Sequence, residues 1–498
     1  MASSFPSDET LDRLVRPSDW TNPTPLGRYN LVVIGGGPAG LVAAAGAAGL
    51  GAKVALIEKH RLGGDCLNTG CVPSKALLRA ASAAYHASHG SEFGIIGAAP
   101  KVDFHTAMNR VHELRAQIAE NDAATRFAEL GVHVFFGEGK FIGSDRIAVD
   151  EDVLRFRRAV IATGARPKTP PIPGLADVPF RTHEDIFDLT ELPAHLVVIG
   201  AGPIGCELAQ AFRRLGSEVT VLDAAPRLLF RGDADASAVL AEQFADEGIR
   251  THLGVEILEA ESDRSGLKLR YRGGSESSVS GSCLLVAAGR APNVESLGLA
   301  DGGVITDKRG VQINDQLRTS NRRIYAAGDV CSSHPFTHSA DAQARIVIQN
   351  ALFFGRKKSS ALTVPAATYT QPEIASVGIS SEEASSRDDV LTLTVPMAEM
   401  DRGMLDSHTR GFGRLHVAKG NGKILGATLV SSHAGESISE VTLAMTHGLG
   451  AGALAATLHP YPTEAEIWKR LGDAWNKTRF TPTVANLFAR FLGWFSED

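Results

Sequence analysis

Two cysteines stand five positions apart, Cys66 and Cys71, in the stretch LGGDCLNTGCVPSK over residues 62–75. Glycines fence them, and Lys75 follows four residues on. The chain has only five cysteines in 498 residues, and the other three, Cys206, Cys283 and Cys331, are scattered singly. In a reducing compartment, so close a pair points to catalysis or metal binding more than to a structural bridge. A structural zinc site needs about four ligands, which these spacings do not supply, so no resident metal is expected. A helix start at the pair, with the Lys75 ammonium nearby, would favour thiolate.

The elements that position such a pair are written twice in the chain. Residues 30–40 read NLVVIGGGPAG and residues 195–205 read HLVVIGAGPIG. Each is a short buried strand, a G-x-G-x-x-G turn and an alanine-containing helix. In such turns the first glycine (Gly35, Gly200) permits the tight bend, and the second (Gly37, Gly202) lets backbone approach a pyrophosphate. The third (Gly40, Gly205) allows close helix–strand packing. A second strand follows each helix and ends in an acid, Glu58 or Asp223, eighteen residues past the third glycine in both copies. A carboxylate there accepts hydrogen bonds from adenosine ribose hydroxyls, so two dinucleotides are expected. Three later small-residue turns, RAVIATGARP (158–167, with Gly164), LLVAAGRAPN (284–293, with Gly289) and IYAAGDV (324–330, with Asp329), would let backbone lie close to a ligand.

Composition narrows the class. A length of 498 residues predicts about three domains, and 44% apolar with 21% charged residues is that of a soluble globular protein. A net charge of −6 argues against a nucleic-acid binder or a polybasic membrane anchor. No apolar run is long enough to span a bilayer, and MASSFPSDETLDRLVRPSDW is no signal peptide, so a cytoplasmic protein is expected. The Ser, Pro, Asp and Thr content of residues 1–27 predicts a flexible arm.

Over residues 29–480 these features resemble the class I pyridine nucleotide–disulfide oxidoreductases, the flavoprotein family of dihydrolipoyl dehydrogenase, glutathione reductase and mercuric reductase. The most specific element is GGDCLNTGCVPSK, against a family pattern G-G-T-C-x-N-x-G-C-x-P-S-K. The resemblance implies an α/β fold with two Rossmann-like domains and a C-terminal α+β dimerisation domain. The expected boundaries are an FAD domain over 28–180 and 297–360, a nicotinamide domain over 181–296, and a dimerisation domain over 361–498. FAD would lie on Gly35, Gly37, Gly40, Glu58, Gly164 and Asp329. The nicotinamide nucleotide would lie on Gly200, Gly202, Gly205, Asp223 and Gly289, with Asp223 favouring NAD over NADP although Arg227 is close in sequence. Lys75 would sit near the flavin and pair with Glu207. Cys66 and Cys71 would form the redox-active disulfide, Cys71 nearer the flavin and Cys66 facing the substrate.

Within that family GCVPSKALLRAA, ELAQAFRRLGSEVTVL and TRGFGRL look most like the mercuric reductase branch. The family's C-terminal acid–base pair has two registers in LHPYPTEAEIWKR (458–470). His459 with Glu464 keeps the spacing; Tyr461 with Glu466 keeps the Pro-Thr turn and is preferred. Tyrosine is a poor base at neutral pH, and the chain ends FLGWFSED without the vicinal cysteines that usually deliver mercury. Three functions follow: a homodimeric mercuric reductase-like enzyme acting in cell redox homeostasis on a small disulfide or soft metal ion, a dihydrolipoyl dehydrogenase, or a low-turnover redox or metal-binding flavoprotein read by a partner.

Overall fold

The computed structural model describes residues 5–97, 100–263 and 266–495. It divides into two compact units, Met1–Pro226 with Glu247–Leu362, and Arg227–Asp246 with Thr363–Asp498. This division is coarser than the sequence-read boundaries, and it takes residues 227–246 into the second unit.

The first unit holds the two dinucleotide folds. Strands β1 (Tyr29–Ile34), β2 (Val54–Glu58), β3 (Val132–Phe136) and β4 (Asp152–Ile161) run in the order β3-β2-β1-β4. These pairs are parallel, and Ile324–Ala326 adds in parallel to the end of β4. The runs LVVI and VALIE are buried residue after residue, as strands covered on both faces must be. Behind β1 lies α2 (Pro38–Gly49), following the N-terminal helix α1 (Ser7–Val15). Small residues let α2 lie close to its neighbour: a Cβ on Gly46 would stand 2.6 Å from Ile348 Cδ1. The second fold repeats the plan with β5 (His195–Ile199), β6 (Glu218–Asp223), β7 (Arg250–Leu253) and β8 (Cys283–Val286), ordered β7-β6-β5-β8 and all parallel.

The arm expected over residues 1–27 is corrected by the structure. Its described part carries α1, with Leu11 and Val15 fully buried in the core of the first fold. Trp20 and Asn22 then hydrogen-bond the edge strand β3 at Val134 and Phe136. The polar composition was a poor guide because the apolar residues recur at helical spacing, Leu11 and Val15 on one face.

The second unit is built on a five-stranded antiparallel sheet ordered Ala366–Thr368, Glu373–Gly378, Ile424–Ser431, Phe412–Ala418, Val390–Pro396. Its core joins Leu415, Val417 and Leu429 to Ile467, Trp468 and Leu471 of the helix Glu466–Thr478. Arg414 binds Asp233 at 2.9 Å and Asp235 at 2.6 Å, which ties the helix Ala234–Asp246 to this unit. The last helix, Pro482–Trp494, has no buried residue. Among the described residues no helix is long and apolar enough to cross a membrane.

Candidate active site

The two fingerprint turns are near-copies in atomic detail. Gly35 and Gly200 have φ of 106° and 114°, and a Cβ on either would strike a carbonyl, Ala162 O at 2.3 Å or Ala287 O at 2.5 Å. A Cβ on Gly40 or Gly205 would stand 1.8 or 1.9 Å from the carbonyl of its own turn's first glycine. Those four glycines are therefore needed by the protein itself. The middle glycines are different: nothing lies within 4 Å of a Cβ on Gly202, and only Gly64 Cα, at 3.7 Å, approaches one on Gly37. That open cradle at a helix N-terminus is what a pyrophosphate requires, so both turns fit a dinucleotide.

Each acid is locked onto its turn. Glu58 Oε2 accepts the Gly36 N–H at 2.6 Å and Oε1 the His60 N–H at 2.7 Å. Asp223 does the same with the Ala201 and Ala225 N–H groups. These bonds fix the direction of both carboxylates, with lone pairs left for ribose hydroxyls. Arg227 donates to the Gly232 carbonyl and lies over the Phe230 ring. Gly164 and Gly289 both have positive φ and open space where a Cβ would stand.

The cysteine stretch forms two helices, α3 (Gly64–Asn68) carrying Cys66 and α4 (Cys71–Ser88) beginning at Cys71. Positive φ at Gly63 and Gly64 makes the turn into α3. Both thiols are free, and Cys71 is the more exposed. Hydrogen bonding from Cys66 pulls the Cys71 pKa down to about 6, with further help from Thr337, whose Oγ1 is 3.3 Å from Cys71 Sγ, and from the Lys75 charge. The same contact with Cys71, and then burial, push the Cys66 thiol far up. The two shifts run in opposite directions, so Cys71 is the thiol that loses its proton more readily. Lys75 Nζ donates to Glu207 at 2.8 Å, and the Glu207 side chain is only 6% exposed.

Asp65, where the family pattern has threonine, is the hub of a charged cluster. Its carboxylate meets Arg290 at 2.5 Å, His183 at 3.3 Å and the Thr69 hydroxyl at 2.6 Å. Burial alone would raise its pKa, but His183 and Arg290 hold it well below the usual carboxylate range. Arg290 also reaches Asp329 at 3.5 Å, and burial pushes the Asp329 carboxyl up against that charge. Sequence reasoning missed His183, 118 residues past Asp65, and Thr337, 266 residues past Cys71, both beyond any local motif's reach. Arg290 lay in a quoted turn without a role.

Neither C-terminal register places its acid on its base. His459, with a side chain 5% exposed, pairs with Glu440 at 3.1 Å, while Glu464 takes the His433 N–H at 3.1 Å. In the alternative register His459 and Glu464 thus keep the spacing without a contact, because the Pro460–Thr463 turn sends the two side chains to different neighbours. Tyr461 is 71% exposed and donates to Asp401 at 2.7 Å, and Glu466 faces Arg470 at 3.5 Å instead of the tyrosine. The hydrogen bond to Asp401 raises the Tyr461 pKa above its ordinary value.

Comparison with known proteins gives this geometry its class. Residues 29–344 match the pyridine nucleotide–disulphide oxidoreductase model, and residues 364–471 match the dimerisation domain of the same family. Mercuric reductase of Staphylococcus aureus is 36% identical over 443 residues, covering 88% of this chain and 81% of that protein. Dihydrolipoyl dehydrogenase of Chlamydia trachomatis is 34% identical over 449 residues, covering 88% and 95%. A solved structure, the HOCl-induced flavoprotein disulfide reductase RclA from Escherichia coli, superposes with a TM-score of 0.80 at 28% identity, covering 89% and 99%. Fold and matches together define an oxidoreductase of the class that works with FAD and NAD(P)H. The chain belongs to the pyridine nucleotide–disulphide oxidoreductase family, and it carries that family's dimerisation domain.

Proposed function

We propose that this protein is a cytoplasmic, homodimeric NAD(P)H oxidoreductase that reduces a small disulfide or a soft metal ion through Cys66 and Cys71, on the pattern of the mercuric reductase branch. The carrying observation is the placement of the thiol pair: Cys66 on α3, and Cys71 at the first position of α4 beside the Thr337 hydroxyl and within a turn of the Lys75–Glu207 pair. FAD, held on Gly35, Gly37, Gly40, Glu58, Gly164 and Asp329, would supply the two-electron link between nicotinamide and the cysteines. The nicotinamide nucleotide would lie on Gly200, Gly202, Gly205, Asp223 and Gly289, with NADH favoured because the Asp223 carboxylate repels a 2′-phosphate. The Lys75–Glu207 pair fixes a positive charge four residues from Cys71.

Two electrons leave as the pair closes to a disulfide: a disulfide acceptor takes them with two protons, and a soft divalent ion takes them directly. Thiol exchange through Cys66 needs a base to remove its raised proton. The chain's exposed candidate, Tyr461, is made a worse one by Asp401. His459 is sequestered on Glu440. Those two facts favour a metal ion over lipoamide, and a solved Cu(II) complex of the structural relative RclA shows that protein binding a metal ion.

Steady-state oxidation of NADH and NADPH across lipoamide, glutathione disulfide, Hg²⁺, Cu²⁺, quinone and oxygen tests the proposal. Turnover is expected to be highest with a metal ion and NADH. Dominant lipoamide turnover would establish the dihydrolipoyl dehydrogenase reading, and negligible turnover with every acceptor would leave a partner-read redox protein. On reduction the wild type is expected to show a long-wavelength thiolate band that Cys71→Ser abolishes; a band surviving that change would refute the assignment of Cys71.

A further inference from the structure

Residues 5–22 lie ahead of the segment that matches the family model, and they grip the loop between Glu58 and Cys66. Arg16 Nη1 donates to the Lys59 carbonyl at 2.6 Å and to the His60 carbonyl at 2.7 Å. Asp12 accepts from the Arg61 guanidinium at 2.9 Å, and the Val15 carbonyl accepts the Leu62 N–H at 3.1 Å. Four consecutive loop residues are thus each bonded to this segment. The same loop serves the first dinucleotide turn. The His60 N–H holds Glu58 Oε1 at 2.7 Å, and the Gly63 N–H bonds the Gly36 carbonyl of the fingerprint at 2.8 Å, three residues before Cys66.

The segment is itself firmly anchored. Asp8 meets buried His112 at 2.7 Å, and the Phe5 ring stacks on that imidazole at 3.8 Å. Leu11 and Val15 are fully buried, and Asn22 makes two hydrogen bonds with the Phe136 backbone, at 2.9 and 2.8 Å. Arg16 lies over the Phe136 ring at 4.8 Å, which fixes the direction from which it reaches the loop.

We propose that residues 5–22 are a positioning strap for the first dinucleotide site: Arg16, through the Lys59 and His60 carbonyls, holds Glu58 ready for the adenosine ribose and sets the start of the cysteine loop. This rests on the reading of the first fold as the FAD site. A loop ordered in advance removes its ordering entropy from the binding step, so the strap strengthens flavin binding without touching the flavin. Arg16 is a positioning residue, and the second dinucleotide site serves as its internal control.

The test uses the full chain, stripped of flavin and titrated with FAD by fluorescence, with amide hydrogen exchange followed over residues 59–63. Arg16→Gln is preferred to removal of the strap, which would expose Leu11 and Val15 and unfold the first fold. Arg16→Gln is expected to weaken FAD binding about tenfold and to speed exchange over 59–63. Arg16→Lys, whose ammonium can donate to both carbonyls, is expected to recover most of the affinity, and affinity for the nicotinamide nucleotide is expected to be unchanged. FAD affinity in Arg16→Gln within twofold of wild type would overturn the strap. So would an equal loss of nicotinamide nucleotide affinity, or a failure of Arg16→Lys to recover. A wild-type chain that takes up no FAD would instead bring down the site reading beneath it.

Discussion

Cys66 and Cys71 have the same side chain but opposite shifts in pKa, and that difference follows from their places on α3 and at the start of α4. Cys71 stands at the first position of α4, where unpaired N–H groups favour an anion, and it takes hydrogen bonds from Cys66 and Thr337. Its pKa, lowered from an ordinary 9.0 to about 6, predicts that alkylation of the reduced protein rises as pH rises through about 6 and then levels off. Mapping the labelled cysteine by mass spectrometry at each pH checks this, and dominant labelling of Cys66 at neutral pH would contradict it. The Asp65 charge works against the thiolate on Cys71 and adds to the rise at Cys66, while Asp65 itself pairs with Arg290 and His183. A threonine there would leave Arg290 without its nearest carboxylate, so Asp65→Thr is expected to shift the alkylation midpoint downward.

At the scale of the element, the G-x-G-x-x-G turn separates glycines that the fold needs from one that the ligand needs. Gly205→Ala would drive a Cβ into the Gly200 carbonyl, a backbone collision that no rotamer relieves, and is expected to destabilise the protein by more than about 3 kcal/mol. Gly202 has an ordinary negative φ and nothing within 4 Å of its would-be Cβ. Gly202→Ala is therefore expected to fold within about 1 kcal/mol of wild type while losing nicotinamide nucleotide affinity at least about tenfold. Chemical denaturation and nucleotide titration of the two variants separate these outcomes. Unaltered nucleotide binding in Gly202→Ala would mean that the second cradle does not face a pyrophosphate.

For the whole molecule, the decisive feature is a C-terminal unit of the dimerisation family, whose acid–base candidates stand in a different compact unit from the cysteines. A dimerisation domain fits a homodimer, and we propose that an isologous C2 dimer sets these candidates against a second copy's thiols, completing two sites at once. Light scattering after gel filtration is expected to give twice the chain mass of 52.6 kDa at assay concentration. An active species of one chain mass would remove Tyr461, Glu466, His459 and Glu464 from the reaction. The solvent-exposed helix Pro482–Trp494 contributes no buried residue to its own unit, so Phe491→Ser is expected to change that unit's intrinsic stability by less than about 0.5 kcal/mol.

The two nucleotide folds and the thiol pair were legible because local rules write them: a buried strand, a glycine turn and an acid recur at fixed spacing, and the geometry of one βαβ unit leaves little choice. The fold class and the glycines that line both turns follow from that repetition. Short polar segments were not legible. Residues 1–27 read as a loose arm by composition, yet Asp8, Arg16 and Asn22 all find partners supplied by distant strands and loops. The partners of His459 and Glu464 were likewise beyond spacing arguments, because a turn of a few residues can send two side chains either way, and only the surrounding helices decide. The sequence by itself marked the thiols proposed for sulfur chemistry and the glycine turns open enough to take a phosphate. Only the tertiary structure decided which thiol has its pKa lowered, what Asp65 binds, and what holds the loop between Glu58 and Cys66, since each depends on groups brought together from far apart in the chain.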